Sequence, residues 1–124
     1  MRILKNKAFN KWAAKEGVSD QALKDAVAEM EKGLFDANLG GHLYKKRVAL
    51  GGKGKSGGVR TLLAFKLGKK AFFIYGFAKN ARANIKVDEG KALKKLATVL
   101  MGYSDIALNK AVHEGALIEV KDNG

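Results

Sequence analysis

Two groups of residues in the middle of the chain have the side-chain types to handle a phosphate. In the first, Lys45, Lys46 and Arg47 precede the stretch GGKGKSGG, which carries Lys53 and Lys55, and Arg60 follows it. In the second, Tyr75, Phe77, Lys79 and Arg82 set two aromatic rings beside two cations. Guanidinium forks and ammonium point charges are the donors that recognise phosphate oxygens, and glycines let a backbone approach them closely. Rings beside cations suit stacked bases, although Tyr75 and Phe77, two apart on one strand face, fit a buried sheet face better. Residues 37–87 hold 12 Lys/Arg and no Asp or Glu, while the two flanks cancel, so the whole net charge of +12 resides here. A field so one-sided meets an anion, because a surface built only for solubility mixes both signs.

Other chemistries are poorly served. Gly54-Lys55-Ser56 resembles the end of a phosphate-binding P-loop, but the spacing requires glycine at position 49, which is Ala49, and a helix directly after the serine, where Gly57-Gly58 and a strand follow. With no cysteine in the sequence, disulfides, thiolate catalysis and Cys-based zinc sites are excluded. His42 and His113 make a poor ligand set by themselves, so no metal and no cofactor is expected. Neither histidine has a carboxylate partner in view. Any catalysis must rest on Lys, Arg and Tyr.

The elements that position these cations follow from periodicity. A chain of 124 residues is expected to form one domain, 1–124. Arg2–Lys5 reads as a short strand. Phe9, Trp12 and Ala13 recur at helical spacing with Gly17 as C-cap. Ser19 caps a second helix from Asp20 to about Lys32, whose Leu23, Ala26, Val27 and Met30 form one apolar stripe. So short a link makes the two helices an antiparallel hairpin, with Trp12, Leu23, Val27 and Met30 in the core. Residues 34–41 read as irregular. Leu43–Leu50, Gly58–Leu67 and Lys70–Phe77 alternate as strands, the first two joined by the glycine loop and the last two by a tight turn. Asp88 caps a helix to about Met101, Ser104 caps a shorter one ended by Gly115, and Leu117–Val120 reads as an edge strand. Strands grouped in this way predict an α+β fold in which the N-terminal helix hairpin packs on an antiparallel sheet, followed by C-terminal helices. No apolar run spans a membrane and the N-terminus lacks an apolar signal core, so a cytoplasmic location with no membrane partner is expected.

The segments HLYKKRV, GKGKSGGVRTLLAF and FFIYGFAKNARANI, in this order, resemble the RelE/ParE superfamily of bacterial toxins, close to its HigB-like branch. The likeness runs over residues 41–85. Gly57-Gly58-Val59-Arg60 looks like the family's strand-borne arginine motif, and Phe77-Ala78-Lys79-Asn80 like its end-of-strand F-x-K-K, with Asn80 in place of the second lysine. The resemblance implies a type II toxin held inactive by a cognate antitoxin, of helix-turn-helix type, and an mRNA endoribonuclease acting on translating ribosomes. It implies a metal-independent cleavage in which the RNA 2′-hydroxyl attacks its own 3′ phosphate. Arg60, Lys79 and Arg82 would be the catalytic cations, and Lys45, Lys46, Arg47, Lys53 and Lys55 the nucleic-acid contacts. The C-terminal Tyr or His that members often carry is missing from LIEVKDNG. Two rival functions belong to other classes: a ParE-type inhibitor of DNA gyrase, and a non-catalytic nucleic-acid-binding module.

Overall fold

The computed structural model describes residues 1–50 and 54–120, the side chains of 54–57 excepted. The elements run β1 (Arg2–Asn6), α1 (Lys7–Glu16), α2 (Asp20–Glu31), β2 (Ala37–Gly40), β3 (Leu43–Leu50), β4 (Gly54–Lys66), β5 (Lys70–Ala78), α3 (Val87–Met101), α4 (Asp105–His113) and β6 (Leu117–Glu119). Local sequence sets most of these bounds. Gly17 ends α1 in the left-handed conformation at φ 76°, which costs glycine nothing. Ser19 and Ser104 accept from the backbone N–H of Ala22 and Ala107, each at 3.1 Å, and start α2 and α4. The α3 start differs from expectation. Lys86 is its N-cap, and Glu89, not Asp88, accepts the Lys86 N–H at 2.8 Å.

The α+β class and the helix hairpin are as the pattern predicts, but the sheet is mixed rather than antiparallel. Its order is β2-β3-β4-β5-β1-β6. β3, β4 and β5 form an antiparallel meander, whereas β1 pairs parallel to β5, with Leu4 opposite Phe72. A parallel neighbour needs a long crossover, and everything from α1 to β4 lies between these two strands. Alternation reports which side chains are buried, not which way a neighbouring strand runs, so the direction of β1 was not legible. β2 is a second correction, since residues 37–40 pair with β3. Four residues are too few to display a period. The turn that follows places Gly40, Gly41 and His42 at φ 86°, 61° and 67°.

Helices cover both faces of the sheet. α1 and α2 pack Phe9, Ala13, Leu23, Ala26, Val27 and Met30 on Val48, Val59, Leu63 and Phe73. α3 and α4 pack Ala97, Leu100, Leu108 and Ala111 on Leu4, Leu43, Leu62, Ala64, Phe72 and Ile74. Trp12 is half-buried rather than central. Its ring lies on Gly76, where an added Cβ would come within 2.2 Å of Cζ3, so α1 seats on β5 only because that residue has no side chain. Among the described residues, no helix is long and apolar enough to cross a membrane.

Candidate functional site

A bulge in β5 decides which residues share a surface. β4 and β5 match Leu62 to Tyr75 and Leu63 to Phe73, so Ile74 has no counterpart. Plain alternation from Phe72 and Ile74 would turn Gly76 and Ala78 toward α3 and Tyr75 and Phe77 toward α1. The extra residue resets the phase. Ile74 and Tyr75 both join the α3 side, and Phe77 comes to lie directly opposite Arg60. Asn6 holds the bulge from below: its amide donates to the Ile74 carbonyl at 3.1 Å while its Oδ1 accepts the Phe9 N–H at 2.8 Å, capping α1.

The result is a transverse row. Arg47 of β3 faces Arg60 of β4, which faces Phe77 of β5. α3 and α4 contact this face only as far as Leu62 and Tyr75, so the row lies beyond the helical cover. Two like charges directly opposite on adjacent strands repel. Moreover Arg47 Nε and Arg60 Nη1 are buried and have no hydrogen-bond partner among the described residues. A buried donor left without an acceptor costs about 1–3 kcal/mol, more for a charged group. An anion between the two forks would relieve both penalties.

The other cations named from the sequence divide. Lys45 is half-buried and shares the Arg47 face by alternation. Lys79 is exposed just past β5. Lys46 does not join them: it points to the opposite face, is 4% exposed, and its Nζ donates to Glu29 of α2 at 2.6 Å. A lysine buried beneath a helix and matched by a carboxylate is a part of the fold. Lys53, and the side chain of Lys55, lie outside the described residues.

Arg82 is near the row, with four of its five N–H donors engaged. Its guanidinium lies over the Phe77 ring, 5.6 Å from the centroid. Nη2 donates to Glu89 at 2.5 Å, Nη1 donates to Glu89 and to the Tyr75 hydroxyl at 3.1 and 3.0 Å, and Nε donates to the Asn84 carbonyl at 2.9 Å. The bond from Arg82, helped by the Lys86 N–H, holds the Glu89 carboxyl down at about 2, and the same bond raises the guanidinium. Residues 37–87 contain no acid, and the neutralising carboxylate comes from just outside that window. The sequence reading missed Glu89 and Asn6. Glu89 had a signal, a carboxylate in the first turn of a helix seven residues after an arginine. The bulge had none.

Against the far side of β3 lies a groove of about 390 Å³ lined by Asp25 and Glu29 of α2 and by Arg47–Leu50. β2 pairs only as far as Lys45, so Arg47 borders both this groove and the open row. The carboxylates make the groove the poorer place for a polyanion.

An α+β fold with a six-stranded mixed sheet and four helices among the described residues is consistent with a RelE-like fold. The sequence model of one family, described as the RelE toxin of the RelE / RelB toxin-antitoxin system, matches residues 1–120. No curated protein matches the chain. The match spans nearly all of the sequence, and the chain belongs to the RelE toxin family. It is therefore the toxin of a toxin–antitoxin pair, with an antitoxin as its partner.

Proposed function

We propose that the protein is a HigB-like endoribonuclease that cuts mRNA on translating ribosomes, in the cytoplasm, and that its antitoxin is a helix-turn-helix protein. The observation that supports this reading best is the pair of opposed arginines, with buried donors that have no partner among the described residues, on the uncovered end of the sheet. Arg60 and Arg47 clamp the scissile phosphate between two planar forks. As the RNA 2′-hydroxyl attacks, negative charge grows on the phosphate oxygens, and donors fixed on a sheet stabilise it without having to reorganise. The 2′-hydroxyl passes its proton to solvent water as its oxygen bonds to phosphorus, a 2′,3′-cyclic phosphate forms, and the bond from phosphorus to the 5′ oxygen breaks. Lys79, exposed just past β5, protonates that leaving oxygen. Lys45, Lys53 and Lys55 hold the flanking phosphates as point charges. Arg82 has no role in the phosphate step, because its fork is already occupied.

The test is induced expression in bacteria with mapping of new mRNA 5′ ends. Cuts bearing 5′-hydroxyls inside translated frames are expected. A DNA-damage response with intact mRNA would replace this reading with gyrase inhibition, and RNA bound but never cut would replace it with a binding module.

A further inference from the structure

Arg82 is a half-buried arginine with four of its five N–H donors engaged. Four bonds to Glu89, Tyr75 and Asn84 engage Nε, Nη1 and Nη2. A guanidinium can bind a ligand in two ways, through its edge as a fork or through its flat face by stacking. Glu89 occupies the fork, and Glu89 is itself fixed as the cap of α3 by the Lys86 N–H. Its Cζ lies over the ring of Phe77, 5.6 Å from the centroid, and Phe77 is only 4% exposed and so has little ring left to offer. The side chain of Arg82 nevertheless remains 27% exposed. That exposed surface lies away from Phe77 and from the hydrogen-bonded partners.

We propose that Arg82 is a stacking platform for one unpaired nucleobase, with Phe77 beneath it and Glu89 holding its plane. This rests on the RNA reading above. The placement agrees with a single nucleotide. Arg60 and Phe77 are direct cross-strand neighbours, roughly 4.8 Å apart from strand to strand, a distance that one nucleotide covers between its phosphate and its base. A phosphate between Arg47 and Arg60 thus sets its base, or an adjacent one, over Arg82. Arginine planes serve as base platforms in single-stranded RNA recognition. The aromatic–cation cluster of the sequence then has a division of labour: Phe77 supports, Arg82 presents its face, and Glu89 is a positioning residue for Arg82.

The experiment uses ribosomes programmed with a synthetic mRNA, with tRNA in the P site, and measures single-turnover cleavage by the full-length toxin. The mRNA is scanned with one abasic ribose at a time across the A-site codon. Wild type is expected to lose about 10–100-fold at one abasic position, the range seen when a stacked base loses its platform. Arg82→Lys keeps the charge and loses the plane, so it should cleave unmodified mRNA slowly and become indifferent to that abasic position. Arg82→Trp loses the charge and keeps a plane, so it should restore the base dependence. Uniform cleavage of every abasic mRNA by wild type would overturn the platform and leave the nuclease standing. Full activity in Arg82→Lys with none in Arg82→Trp would also overturn it, by showing a charge contact. No cleavage of the unmodified mRNA would remove the nuclease reading and the platform together.

Discussion

Lys46 and Arg47 are neighbours in β3 and do opposite things. Lys46 turns under α2, is 4% exposed and is matched by Glu29. Arg47 turns to the uncovered face, stands opposite another arginine, and keeps a buried Nε without a partner among the described residues. The same contrast runs across the sheet. On the hairpin face Lys5, like Lys46, is matched by an α2 carboxylate, Asp20 at 2.9 Å. Both acids come from the flank before residue 37, and Glu89, which holds Arg82, comes from the flank after residue 87. Lys46 and Arg82 of the middle segment are therefore held by acids that the flanking helices deliver, Lys70 is held by the Tyr103 carbonyl at 2.7 Å, and Arg47 and Arg60 keep donors without a partner among the described residues.

Each face can be broken separately. The largest effect is expected on the open one. Arg60→Ala should slow mRNA cleavage about 10²–10³-fold, or roughly 2.7–4 kcal/mol by analogy with losing one preorganised donor, while binding falls much less and the melting midpoint stays or rises as a repulsion is removed. On the hairpin face, Glu29→Gln should cost about 2–3 kcal/mol in a denaturant melt. That is below the roughly 3–5 of a fully buried pair, because the Glu29 side chain is 33% exposed. Cleavage per folded molecule should not change. Gly76→Ala should cost about 1–3 kcal/mol by forcing the Trp12 ring off β5, and Trp12→Ala in the same chain should relieve part of that cost, as a double-mutant cycle would show. The smallest effect is in acid. Glu89 has its carboxyl depressed from 4.5 to about 2, and Glu119 is depressed by Arg2. A depressed carboxyl stabilises the fold above its unfolded value and ceases to as pH falls through its folded one. Melting temperature should therefore drop between about pH 4.5 and 2, and Glu89→Gln should flatten part of that drop.

Much of this was legible in the sequence, for physical reasons that also mark the limit. Ser19, Gly17 and Ser104 act on their own neighbours, so helix bounds could be read locally. The meander β3–β4–β5 was readable because each of its strands runs for at least eight residues and the turn from Lys66 to Lys70 is local. The direction of β1, the pairing of β2 and the bulge at Ile74 depend on partners far along the chain and leave no local period. The same gap governed the site. The facing of Arg60 could be read because a strand residue keeps the side that alternation gives it. Lys46 was misplaced because its face depends on which helix lands where, and Arg82 because its occupant, Glu89, belongs to the next element. Counting charge within residues 37–87 saw the cations and none of the acids that reach in from outside.

The sorting of cations is tested most directly by the salt dependence of RNA binding in two adjacent substitutions. The slope of log affinity against log salt counts the phosphates a protein neutralises, and each single-strand contact contributes about 0.7. Arg47→Ala should reduce the slope by about that amount. Lys46→Met, with its apolar stem still under α2, should bind RNA with the wild-type slope. Equal reductions in both variants, or a reduction in Lys46→Met alone, would contradict the division between cations that hold the fold and cations that hold the RNA.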